Sequence, residues 1–301
     1  MTPRARGLLK RLVEGWLLSI RSELRTQPTD AERALAVAAE LCGEKLSRFV
    51  TSAPSAQNAV DIFSGEWSSK LPDELNVHSG PFLLFDDPRL HWALGAIGGV
   101  RGKEVLELGP LEAGHTYMLE AAGVKHVTAI EANVRAFLKC LIVKELTKLQ
   151  AADFLCGNFV EFLEQNNRTY DVALACGVLY HMTEPLRFLE LLGKTADALV
   201  IFTHYYDEEL IRRNQRVAGF FQGAAQARAG GFSCTVYRQT YPGEARSCVA
   251  FSGGTQPFSY WMQKADIIAA LEHFGFRRIE TSHDEPEHQN GPGFSLIACR
   301  S

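Results

Sequence analysis

Lys103-Glu104-Val105-Leu106-Glu107-Leu108-Gly109-Pro110-Leu111-Glu112-Ala113-Gly114 is the stretch on which the reading of the fold turns. A short apolar run closes on an acid, breaks at a glycine and passes into the helical pattern of 115–122. Gly109 permits a ligand to approach the backbone closely. The helix after it opens with N–H groups that have no intrahelical partner. The next apolar run, His126–Ile130, ends at Glu131 and Ala132. A carboxylate at such a tip accepts both hydroxyls of a ribose. Strand, glycine turn, helix, strand, acid is the order that a nucleoside-binding α/β crevice requires.

The same alternation continues downstream. Helix 133–148, strand Ala152–Cys156, helix 159–165, strand Asp171–Cys176, helix 184–195 and strand Ala198–Thr203 are expected. Such alternation marks βαβ units around a parallel sheet. Helix Lys264–Phe274 and strands 276–281 and Phe294–Arg300 end the chain. The interval 204–262 is too long for an ordinary βα connection and reads as an insertion over a site. Upstream, 4–25 reads as a basic amphipathic helix that docks on the core, on another subunit or on a membrane surface. A second helix runs from Thr29 to about Phe49, and Thr51-Ser52-Ala53-Pro54-Ser55 reads as a linker. Three parts follow: a helical extension over 1–50, a linker and aromatic lead-in over 51–99, and the α/β domain over 100–301.

The composition narrows the class. With 46% hydrophobic and 22% charged residues, the 301-residue chain is neither disordered nor a disulfide mini-protein. Its net charge of −4 argues against a dedicated nucleic-acid binder, so a small-molecule partner is expected. No apolar run is long enough for a transmembrane span. Seven cysteines without a Cys-x-x-Cys pair read as reduced thiols in a cytoplasmic protein.

Two further constellations carry chemistry. Cys176-Gly177-Val178-Leu179-Tyr180-His181 follows the fourth strand, where strand ends line the crevice. Thr203-His204-Tyr205-Tyr206 leaves the fifth. His181 and His204 are the general-base candidates, because an imidazole that titrates near neutrality suits that task, and Tyr180 is a contact or orienting residue. Tyr205, Arg212, Tyr241 and Trp261 are candidate acceptor contacts within the insertion. From 210 to 250 six arginines face a single acid, which points to an anionic acceptor group. The acids Asp207–Glu209 read as a helix start, and His283–His288 as an exposed hairpin turn, so no metal is expected.

Over 100–203 and again over 260–300 the chain resembles the class I S-adenosylmethionine-dependent methyltransferases. The resemblance implies a Rossmann-like, seven-stranded, mostly parallel sheet with a final antiparallel hairpin. It implies S-adenosylmethionine as cofactor, held by Glu107, Gly109, Pro110, Gly114, Glu131, Ala132, Asn158, Phe159 and Cys176. Asn158 stands where the family usually has an Asp facing the adenine amine, and Leu111 and Ala113 where two more glycines are common. A nicotinamide-dependent dehydrogenase would want a tighter glycine turn, and Glu112 would repel its pyrophosphate. Gly177-Val178-Leu179-Tyr180-His181 and Ser79-Gly80-Pro81-Phe82 are also similar to strings in the bacterial tRNA wobble-uridine carboxymethyltransferases. That family has a Lys where this chain has Ser79, which favours methyl over carboxymethyl transfer. The expected activity is methyl transfer to a small anionic or hydroxyl-bearing acceptor. The alternatives are tRNA (carboxy)methylation and a protein that binds the cofactor without turnover.

Overall fold

A computed structural model of the protein describes residues 49–243 and 253–300. The chain divides into two units, Met1–Ala53 and Pro54–Ser301. The helices expected over 4–25 and 29–48 lie outside the described residues, as do Glu244, Arg246 and Phe251.

Seven strands form the main sheet. They are β1 (Glu104–Leu108), β2 (His126–Glu131), β3 (Ala152–Cys156), β4 (Tyr170–Cys176), β5 (Ala196–His204), β9 (Arg278–Glu285) and β10 (Gly293–Cys299). Their order is β3-β2-β1-β4-β5-β10-β9. Pairing from β3 to β5 is parallel, and β10 runs antiparallel to both β5 and β9. Chain direction across the sheet reverses at β1, so a crevice opens between the tips of β1 and β4. This is the Rossmann-like α/β fold expected from the sequence.

Successive strand residues face opposite sides of a sheet, and here the two faces have different covers. Leu106, Leu108, Ala173, Ala175, Leu199 and Ile201 join the core beneath α5 (Phe159–Gln165), α6 (Pro185–Thr195) and α8 (Lys264–His273). Val105, Val172, Leu174, Val200 and Ile297 pack beneath α2 (Pro88–Ala96) and α3 (Gly114–Ala121). Parity therefore places Glu107, Cys176, Phe202 and His204 on the α2/α3 side and Tyr205 on the other.

The lead-in carries elements of its own. It contains α1 (Ala56–Val60) and reaches α2, which Asp87 caps and Pro88 opens. Val60, Phe63, Trp67 and Leu71 pack against Cys140 and Val143 of α4 (Val134–Thr147). Its tie to the β1 turn is Glu112, whose buried carboxylate accepts Ser68 N–H (3.0 Å) and Ser69 N–H (2.7 Å) and pairs with Lys139. Glu112 is thus neutralised inside the protein and does not confront a ligand, contrary to the expectation that it would repel a pyrophosphate.

Between β5 and α8 lie α7 (Glu208–Arg213) and a three-stranded antiparallel sheet, β6 (Phe221–Ala229), β7 (Phe232–Thr240) and β8 (Phe258–Met262). Gly230 and Gly231, both at positive φ, make the two-residue turn between β6 and β7. No helix among the described residues is long and apolar enough to cross a membrane.

Candidate active site

The turn after β1 keeps a left-handed backbone at three positions: Gly109 (φ +69), Leu111 (φ +55) and Ala113 (φ +62). The chain has lost two expected glycines but not the conformation that glycines favour. A Cβ on Gly109 would lie 3.0 Å from Val178 Cγ2 of the β4 loop, so this turn and that loop touch at the crevice. At Gly114 a Cβ would lie 2.5 Å from Leu84 O; this glycine admits the lead-in backbone.

Glu131 joins two strand tips. Its Oε2 accepts Leu111 N–H (3.0 Å) and its Oε1 accepts Asn133 N–H (2.8 Å). Burial raises its pKa, opposed by those backbone donors. Ala132 lies exposed beside it. Glu107, also buried, accepts Thr116 Oγ1–H at 2.5 Å, and its pKa is raised by burial against the opposing pull of His115. Pro110 O closes the turn by accepting Ala113 N–H. Asn158 caps α5, its Oδ1 accepting Val160 N–H (3.0 Å), at the tip of β3. Phe159 departs from the expected crevice contacts: it is buried in the core against Phe188.

The acceptor-side candidates converge in part. Tyr180 lies between His181 and His204, with ring centroids at 4.1 and 4.7 Å. His204 stacks on Trp261 at 5.3 Å, and His181 Nδ1 meets Tyr241 Oη at 2.8 Å. His204 Nδ1 lies 2.8 Å from Gly291 O, a contact that needs an Nδ1–H and leaves Nε2 as the acceptor. Neither histidine titrates near neutrality. Burial, helped by the neighbouring His204, lowers His181 to about 3; burial, helped by His288, lowers His204 to about 4. Burial raises Tyr180 to about 12, which keeps it a neutral phenol. Tyr205 points away, its ring against Phe294 and its hydroxyl 3.5 Å from Asp284. Arg212 is exposed on α7. Arg213 pairs with Glu209, and Arg238 lies over Phe258.

The arginine at the crevice lies outside the arginine-rich insertion. Arg89, on α2, lies 4.2 Å from the Phe202 ring centroid and forms a fork with Asp87 (2.9 and 2.6 Å). His115 Nε2 is 3.0 Å from the same Asp87 carboxylate. The final hairpin loop also enters, since His288 lies 5.1 Å from His204. The run 283–288 is exposed over 284–287, as the sequence implied, and half-buried at His283 and His288. Among the described residues no three His, Cys, Asp or Glu side chains form a metal-holding group.

The sheet order and the acid-and-glycine crevice define a Rossmann-like methyltransferase fold. No family model and no curated protein matches the chain. Among solved structures it is similar to the N-terminal domain of EvdMO1 crystallised in the presence of SAH and D-fucose. That match has 19% identity over 81% of this chain and 95% of that one, with a TM-score of 0.60. The same domain with SAH bound gives 18% identity, 81% and 94% coverage, and a TM-score of 0.61. At this identity the likeness establishes the shared fold.

Proposed function

We propose that the protein is an S-adenosylmethionine-dependent methyltransferase acting on a small acceptor. The observation that carries this is the pair of buried glutamates at neighbouring strand tips, Glu107 and Glu131, on either side of a turn held in glycine-like conformation. The residues fit the group. Glu131 offers carboxylate lone pairs beyond those used by Leu111 and Asn133, which suits a ribose diol. Glu107 places a carboxylate on the α2/α3 side for an amino group, and Asn158 stands at the β3 tip for the base. SAH in the EvdMO1 domain agrees with this choice of cofactor. When bound, S-adenosylmethionine supplies an electrophilic methyl group on its sulfonium.

The chain's own contribution is positioning and exclusion of water. Tyr180, His181, Trp261 and Tyr241 wall the acceptor side, and Tyr180 donates a hydrogen bond to the acceptor. His204, with Nδ1–H fixed on Gly291 O, presents Nε2 to an acceptor hydroxyl. At a pKa of about 4 this nitrogen accepts a hydrogen bond and orients the nucleophile rather than carrying its proton away at neutral pH.

The test is calorimetry of the full chain with SAH and with NAD, together with mass spectrometry of the copurified ligand. SAH binding without NAD binding supports the reading; NAD binding, or no affinity for SAH, rejects it. Release of SAH with an acceptor panel separates an enzyme from a protein that only binds. The mass added to product separates methyl from carboxymethyl transfer.

A further inference from the structure

The loop between β9 and β10, residues 286–292, lies against His204. Gly291 O is 2.8 Å from His204 Nδ1, and Pro292 O is 3.3 Å from the same atom. A carbonyl oxygen only accepts, so the buried neutral ring carries its proton on Nδ1. An imidazole free in water favours the proton on Nε2. The loop therefore holds His204 in the tautomer that it would otherwise populate less. Nε2 makes no hydrogen bond among the described residues.

Glycine makes the room for this contact. Gly291 is buried at φ +104, and a Cβ there would lie 2.7 Å from Cη2 and Cζ3 of Trp261, the ring that stacks on His204. A Cβ on Gly293 would lie 3.1 Å from His204 Nδ1. Tyr205 N–H ends the β5–β10 ladder on Pro292 O (2.9 Å), and beyond that point the loop is held from outside the hairpin. Asn214, directly after α7, donates from Nδ2 to His288 O (3.1 Å) and Gln289 O (3.2 Å), while its Oδ1 accepts Arg216 N–H (3.1 Å). Gly291 N–H donates to the same His288 O at 3.0 Å. The carbonyl that Asn214 holds is thus one turn bond away from the residue that holds His204. Arg216 also reaches the loop, but only from its side chain to that of Gln289, with both residues exposed.

We propose that Asn214 is a positioning residue for His204: it holds the hairpin loop so that Gly291 O fixes the proton on Nδ1 and Nε2 is left as a lone pair for the methyl acceptor. This rests on the methyltransferase reading, in which Nε2 meets an acceptor hydroxyl, and adds the residue that keeps that nitrogen unprotonated. Asn214 acts at one remove. Its partners are two loop carbonyls and the Arg216 amide, and no atom of His204 is among them. The tie also joins the insertion to the closing hairpin of the main sheet, two parts of the chain that meet only in the folded protein.

The test uses the full chain with nitrogen-15 in its histidines, at pH 7.5 and without cofactor. Long-range imidazole NMR spectra report which ring nitrogen carries the proton, and His204→Gln identifies the signal. Wild type should show His204 protonated at Nδ1. Asn214→Asp keeps the oxygen that accepts Arg216 N–H but loses the donor to the loop. It should raise the Nε2–H population about fivefold or more, the worth of one hydrogen bond, and Asn214→Ala should do the same. Arg216→Ala removes only the side-chain contact to Gln289 and should leave the tautomer as in wild type. A wild-type ring protonated at Nε2, a tautomer unmoved in both Asn214 variants, or an equal shift in Arg216→Ala overturns the proposal. So does a shift that comes only with a changed circular dichroism spectrum, since Asn214 would then be merely structural. The tautomer is read without cofactor, whereas a wild type that fails to bind SAH counts against the methyltransferase reading, so the two failures are distinguishable.

Discussion

Two histidines at the crevice, His204 buried and His181 half-buried, should make this protein unusually sensitive to mild acid. His181 and His204 hold pKa values of about 3 and 4 in the folded chain, against 6.5 for an ordinary imidazole. The folded values are depressed, so the contribution to stability is complete above pH 6.5 and is lost as pH falls towards 4. At pH 5 the unfolded chain has taken up both protons and the folded chain neither. Over the 1.5 units from 6.5, at about 1.4 kcal/mol per unit, each histidine costs about 2 kcal/mol and the pair about 4. That is a large share of the roughly 5–15 kcal/mol that holds a domain folded. His115 acts in the opposite sense between pH 6.5 and 7.5, and equally in wild type and variants. Its pKa is raised, so its contribution is already complete below 6.5 and is lost only as pH rises above that. Urea unfolding of the wild type, His181→Gln, His204→Gln and the double variant between pH 7.5 and 5 measures the effect. Each substitution should remove about 2 kcal/mol of the acid-induced loss. Parallel curves for wild type and double variant would refute the reasoning. They would mean that the crevice admits enough water to protonate both rings while folded.

Four other outcomes follow from the geometry. Glu131→Ala should weaken SAH binding about 100-fold, the worth of two charge-assisted hydrogen bonds; calorimetry that finds unchanged affinity removes the ribose role. Ala113→Gly should stabilise the protein by about 0.5–1 kcal/mol, because relief at φ +62 outweighs the added freedom of the unfolded glycine; a lower melting temperature contradicts this. Gly114→Ala should destabilise by about 2 kcal/mol or more, since its methyl would meet Leu84 O at 2.5 Å; a melting temperature equal to wild type shows that the lead-in shifts freely. Glu112→Ala leaves Lys139 buried without its carboxylate and should cost about 3–5 kcal/mol in denaturant unfolding; a loss below 1 kcal/mol would show that Glu66 O suffices as its partner.

Local pattern was enough for the central strands. Lys103–Leu108, His126–Ile130 and Ala152–Cys156 show as short apolar runs between helical stretches, and the structure places strands there within a residue or two. The turn after β1 was legible for the same reason, since an acid, a glycine and a helix start are neighbours in sequence. Strands β6 and β7 were not legible. Phe221–Ala229 is rich in Ala, Gln and Gly, residues with little intrinsic preference for strands, and it pairs only because Gly230-Gly231 folds it onto β7. Arg89 was hidden differently. Asp87-Pro88-Arg89 has the marks of a helix start, and nothing local says which cleft that helix borders.

The sequence by itself determined the class of crevice, because hydrophobic periodicity and a strand-ending acid act over a few residues. Tertiary structure alone decided which polar groups share that crevice. Parity separates His204 from its neighbour Tyr205. Long-range packing brings Gly291, Trp261 and Arg89 to the same mouth, and burial there moves both imidazoles out of the neutral range. Desolvation depends on everything that surrounds a side chain, and most of what surrounds these two comes from distant parts of the chain.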